Sequence, residues 1–190
     1  GAMLERHERQ RRARRRPEGR ARWDGTWVLA IVTAERRTAV ERASFRTAAR
    51  RLGLAEVREG VWARPADRPL RPPADSAVAA HVTWVDGARP EDPARFVDAF
   101  DLDGWQAVAH GLLAEMASLQ PALDEQRVDA VADGFVVAAA VLRHLVDDPA
   151  LPPGLLPAGW PGDELRTAFD RFDAAFKATW RAWYRSFSAG

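Results

Sequence analysis

One stretch of sixteen residues limits what the rest of the chain can do. DDPALPPGLLPAGWPG, residues 147–162, holds five prolines and three glycines and cannot carry a long helix. It also holds Leu151, Leu155, Leu156 and Trp160, and it lies between two segments of helical period. Prolines preset backbone angles and reduce the entropy of the unfolded chain. The stretch therefore reads as a stiff apolar strap. Its leucines and tryptophan are expected to pin it to a helical core, with Pro161-Gly162 setting where the last helix starts.

On either side of the strap the period is helical. After it, Leu165, Phe169, Phe172, Phe176, Trp180, Trp183 and Phe187 recur at three- and four-residue steps, which predicts an amphipathic helix over about 162–187. Such a stripe is core or, failing that, an oligomer interface. Before the strap, a helix over about 127–146 is nearly all apolar at its centre (GFVVAAAVL) and is expected to be buried on several sides. Another starts at Asp101 or Asp103 and runs to about Ser118 or beyond, with Trp105, Val108, Leu112, Met116 and Leu119 on its apolar face.

Upstream of about residue 90 the pattern is different. Thr26–Thr33 (TWVLAIVT) is a short apolar run behind a Trp23-Asp24-Gly25 turn and predicts a buried strand. A helix over about 37–52 comes next, with Phe45, Ala48, Ala49 and Leu52 on one face and Gly53 placed to end it in the left-handed conformation. Ala55–Val57 and Val61–Arg64 read as a hairpin about Arg58-Glu59-Gly60. His81–Val85 reads as a further strand closed by Asp86-Gly87. The order β-α-β-β-β predicts an α+β chain: a ferredoxin-like (split βαβ) domain over 23–90, then an all-α helical domain over 91–190. Residues 1–22 form a basic linker helix or arm.

That arm is where the charge is concentrated. Of 28 basic and 27 acidic residues, 1–22 hold nine arginines and three glutamates, leaving 19 basic against 24 acidic in the body. Basic arms suit phosphate backbones, so Arg11, Arg12, Arg14, Arg15 and Arg16 are candidate nucleic-acid contacts. The chain has no cysteine, hence no disulfide framework and no thiolate chemistry, which fits a cytoplasmic protein. No apolar run approaches the ~20 residues of a membrane span. The four histidines (7, 81, 110 and 144) have no metal-ligand spacing, and no Gly-rich phosphate loop or G-x-S-x-G elbow occurs. The expectation is a non-enzymatic protein without metal, cofactor or catalytic residues.

Four blocks, taken in order, resemble the PaaX family of bacterial transcriptional regulators, known for repressing phenylacetate catabolism. WDGTWVLAIV (23–32) is similar to the family's WDG-x-W and apolar strand. ARRLGL (49–54) with GVWARP (60–65) is similar to its R-x-L-x-x-LGF…G-x-W-x-x-P. DPALPPGLLPAGWPG (148–162) is similar to its DP-x-LP-x-x-LLP-x-x-WPG, and FDLDGW (100–105) adds to the set. The resemblance covers about residues 5–187. It implies an N-terminal winged helix, a ferredoxin-like domain akin to CRISPR spacer-integration proteins, and a C-terminal helical domain. It also implies homodimers, operator DNA as partner, and an acyl-CoA effector whose binding releases DNA.

The sequence departs from the family at three places. The winged helix has no counterpart here. The family's polar His-Glu-Trp-Arg-Arg cluster falls on Ala139-Ala140-Val141-Leu142-Arg143, so Arg143 alone is kept. Its Asp-x-Pro-Glu after the first strand falls on Thr33-Ala34-Glu35-Arg36. The expected function is the effector-sensing and dimerising part of a PaaX-like repressor of a catabolic operon. The alternative is a dimeric module that holds nucleic acid through its basic arm without a small effector. Arg64 and Arg143 are the candidate contacts to an anionic ligand, because guanidinium suits phosphate and carboxylate.

Overall fold

A computed structural model describes residues 23–33, 38–70 and 78–188. The basic arm, with Arg11, Arg12, Arg14, Arg15 and Arg16, and the Ala34–Arg36 segment lie outside the described residues. The described chain is mixed α+β and forms two compact units. One takes the chain up to Leu102 together with Pro149–Pro157; the other takes Asp103–Asp148 and the chain from Ala158.

The first unit is built on a four-stranded antiparallel sheet. Its strands are β1 (Trp27–Val32), β2 (Ala55–Arg58), β3 (Val61–Pro65) and β4 (Val82–Ala88), in the order β2-β3-β1-β4. β3 pairs with both β1 and β2, so the strand after the first helix does not touch the strand before it. That helix, α1 (Ala39–Arg51), begins at a capping box in which Thr38 and Glu41 satisfy each other's main-chain N–H. It ends as the sequence predicts. Gly53 has φ +75°, and the Leu54 N–H returns to the Ala49 carbonyl at 3.1 Å.

The predicted face of α1 is the buried one. Phe45 and Ala49 join Ala30, Leu54, Trp62 and Val78 in the core, with Ala48 and Leu52 packed against them. Asp86-Gly87, however, does not close β4. The strand runs through it to Ala88, carrying one extra residue opposite β1, and Gly87 at φ +72° absorbs the bulge. A short helix, α2 (Pro93–Asp98), comes after it, capped by Asp92; Phe96 and Phe100 pack around Trp27 at 5.2 and 6.4 Å between ring centroids.

The second unit holds three long helices: α3 (Leu102–Asp124), α4 (Val131–Val146) and α5 (Gly162–Ser188). α3 runs straight past Pro121, where a proline costs a main-chain bond. Contacts of the next turn offset that loss. Leu123 is fully buried, and the Thr179 hydroxyl on α5 lies 3.0 Å from the Leu123 carbonyl. Gln126 at φ +55° ends the helix, with the Arg127 N–H on the Ala122 carbonyl at 2.9 Å.

Leu165, Phe169 and Phe172 of the predicted α5 stripe are core, joined by Trp105, Leu112, Met116, Val137, Val141 and Leu145. Towards the end of α5 the stripe surfaces, and Trp180 is 43% exposed. α4 departs from expectation in the same way. It is buried on one face only, leaving Phe135 61% and Val136 63% exposed.

Candidate functional site

Sequence reasoning selects Arg64 and Arg143, and they lie in different units. Arg64 stands near the end of β3 and is 3% exposed. Its guanidinium is spent on its own unit: Nε donates to the Pro65 carbonyl (3.2 Å), Nη1 to the Leu52 carbonyl (3.3 Å), and Nη2 to the Arg68 carbonyl (3.0 Å) and Asp67 Oδ1 (3.3 Å). The planar fork thus ties the end of α1 to the loop after β3. Asp67 is equally buried, and its other oxygen lies 3.6 Å from Arg68 Nη1.

Arg68 in turn donates to the Ala150 carbonyl of the proline segment at 3.3 Å. Gly53 leaves room for it, since a Cβ there would sit 2.9 Å from Arg68 Nη2. The proline segment is therefore divided. Pro149–Pro157, with Leu151 fully buried, belongs to the sheet unit, and only the part from Ala158 belongs to the helical unit. The expectation that its leucines pin it to the helical core is corrected: Leu151, Leu155 and Leu156 group with the sheet unit, where Arg68, 82 positions away, also donates to the segment.

The helical unit gathers the other polar groups. Trp105 on α3 stacks on His144 (4.3 Å, 23°) and on Trp160 (4.5 Å, 20°). Trp105 and His144 also exchange hydrogen bonds. The indole Nε1–H donates to the His144 carbonyl at 3.3 Å, and His144 Nε2 lies 3.0 Å from the Trp105 carbonyl. A carbonyl only accepts, so Nε2 carries the proton. Burial pushes the His144 pKa below its usual 6.5, against the Trp105 carbonyl bond and the charges of Asp147 and Asp148.

Beside this stack is a buried ion pair. Asp148 lies just past the end of α4, where the helix dipole is unfavourable to a carboxylate, and Arg166 lies in the second turn of α5. They meet each other through Arg166 Nη2 and Asp148 Oδ2, and Arg166 Nη1 donates to the Gly162 carbonyl at 2.9 Å. Gly162 permits the whole arrangement, because a Cβ there would sit 2.6 Å from Trp160 Nε1 and 3.2 Å from Arg166 Nη1.

Arg143 stands on the last turn of α4, exposed, next in sequence to His144. Neither the stack nor the ion pair has a local sequence signal beyond the aspartates at an unfavourable helix end, which required a cation from elsewhere. Among the described residues, no group of three His, Asp or Glu side chains could hold a metal, and no helix is long and apolar enough to cross a membrane.

Residues 20–87 match the model of the PaaX protein central Cas2-like domain, and residues 100–186 match that of the PaaX-like protein C-terminal domain. The chain belongs to the PaaX family. The solved structure of an uncharacterized protein, Rv0674 from Mycobacterium tuberculosis, is similar along nearly the whole length. It is 40% identical with a TM-score of 0.74, covering 95% of this chain and 72% of that one. No curated protein matches the chain. In this PaaX-family chain, the Arg64 cluster and the Trp62 core lie in the Cas2-like match, and the stack, the ion pair and Arg143 lie in the C-terminal match.

Proposed function

We propose that this chain is the effector-sensing and dimerising part of a PaaX-like repressor of a catabolic operon, a cytoplasmic and non-enzymatic protein. The observation that carries the reading is the pair of family domains, met in order along one chain. The strand order β2-β3-β1-β4, with β3 between the two strands that flank α1, supports reading the sheet unit as ferredoxin-like.

The effector in this reading is an acyl-CoA-type anion, and the helical unit receives it. Arg143 is exposed and offers its guanidinium to phosphate or carboxylate. Arg64 would reach a ligand only by giving up its bonds to Leu52, Pro65, Asp67 and Arg68, so its place in the reading is to hold the sheet unit together. Switching then requires the effector to bind two arrangements of the dimer with different affinity. Calorimetric titration with a panel of acyl-CoA esters, phenylacetyl-CoA included, tests this. The expected result is saturable heat with at least one ester, weakened in Arg143→Ala; no heat with any ester contradicts it.

The nine arginines of residues 1–22 favour a second reading, in which the arm holds nucleic acid electrostatically and no small effector is involved. Affinity for DNA would then fall steeply with salt. Deleting residues 4–22 without loss of DNA affinity sinks it.

A further inference from the structure

α4 is apolar on two faces, and a helix that is apolar all round is ordinarily covered all round. Its inner face is covered: Val131, Gly134, Val137, Ala138, Val141 and Leu145 are buried. Its outer face is covered only in part. At 100° per residue, Ala132, Asp133, Val136, Ala139, Ala140 and Arg143 fall on the opposite side, with Phe135 on the flank; Ala139 and Ala140 are half-buried, Ala140 against the unit's own core, and the rest are exposed. Asp129, in the turn that leads into the helix, continues this line. The outer face is thus a strip of small and apolar residues edged by Asp133, with Asp129 at its start and Arg143 at its end.

The spacing of those charges is symmetric. Asp129 and Arg143 lie seven residues either side of Val136. If a second α4 is laid antiparallel across the first with a two-fold axis at Val136, Asp129 of each copy falls opposite Arg143 of the other. Ala132 then falls opposite Ala140, where small side chains let the helices approach closely. A two-fold contact must be self-complementary, with residue i meeting j and j meeting i, and this strip has that property in charge and in size. Asp129 is ionised: its hydrogen bonds with Arg127 hold its pKa below the usual carboxylate range, and its side chain is still 66% exposed, open to a second cation.

We propose that the outer face of α4 is the surface on which two copies of this chain associate, antiparallel about Val136, with two Asp129–Arg143 pairs closing the ends. This rests on the homodimer in the reading above and supplies its interface. Arg143 cannot serve an anionic ligand and Asp129 at once, and the test separates the two uses.

The test is the oligomeric state of the whole chain by sedimentation equilibrium across a concentration series. Val136→Asp places a like-charge pair on the axis and is expected to leave monomer. Arg143→Asp and Asp129→Arg each are expected to weaken the dimer at least tenfold, and Arg143→Asp with Asp129→Arg in one chain to restore it. All these positions are exposed, so unchanged thermal melting of the monomer certifies the fold. A wild-type chain that is monomeric throughout overturns the homodimer and the interface together. A dimer indifferent to Val136→Asp overturns the interface and leaves the homodimer standing. A double reversal no tighter than the single ones overturns the Asp129–Arg143 register and frees Arg143 for a ligand.

Discussion

Two buried arginines, one in each unit, are paired with aspartates in different ways. Arg64 spreads its donors over three main-chain carbonyls and one carboxylate, all in the sheet unit. Arg166 meets the Asp148 carboxylate and the Gly162 carbonyl beside a stack of aromatic rings. The first arrangement organises backbone: without it, the end of α1, the loop after β3 and Asp67 all lose a partner. The second joins the end of α4, where Asp148 carries the wrong sign for the helix dipole, to the second turn of α5, next to groups that remain partly exposed. The sheet unit is committed inwardly, and the helical unit sets a buried ion pair beside the half-buried rings of His144 and Trp160.

The largest expected effect is on the committed side. Arg64→Met removes the closer guanidinium from Asp67 and leaves that carboxylate buried. It should destabilise the sheet unit by about 3 kcal/mol or more in urea unfolding, because removing one partner of a buried pair strands the other. Arg64→Lys should recover little, as an ammonium cannot serve four acceptors in one plane.

On the helical side the effects should be smaller. Gly162→Ala drives a methyl into the Trp160 indole and should cost about 2 kcal/mol. Trp160→Ala removes one layer of the stack and should cost a similar amount, since Trp160 is only half-buried. A melting temperature unchanged by either would break the comparison. A smaller change of opposite sign is expected at Ala150, whose φ of +49° is left-handed: Ala150→Gly should raise stability by about 1 kcal/mol or slightly less.

The pH dependence sharpens the contrast further. The folded-state pKa of His144 lies below its ordinary 6.5, so the unfolded chain binds the proton more readily. Its contribution to stability is full above pH 6.5 and is lost as pH falls from there through the folded-state pKa. His144→Gln should flatten that part of the pH–stability curve and leave the sheet unit's response unchanged.

What the sequence discloses of this fold is what depends on neighbours along the chain. The α1 face, the Gly53 cap, the hairpin and the α5 stripe come from spacing and turn chemistry within a few residues. β4 passes through Asp86-Gly87 because pairing with β1 accommodates a bulge, which outweighs a local turn signal. α3 passes Pro121 because Leu123 and Thr179 hold the far side, and Thr179 is 56 positions from the carbonyl it meets. The polar constellation was hidden for the same reason. Trp105 meets a histidine 39 positions on, and Asp148 an arginine 18 positions on. The proline segment shows both sides of this. Its stiffness is local and legible, whereas its division between the units involves distant partners such as Arg68, which no pattern near residue 150 announces.

The measurement that bears most directly on this division of labour is hydrogen exchange with and without a bound acyl-CoA ester. Added protection should fall on the helical unit, around residues 140–166 apart from 149–157, and leave 52–68 unchanged. Protection that appears instead around Arg64 and Arg68 would contradict it.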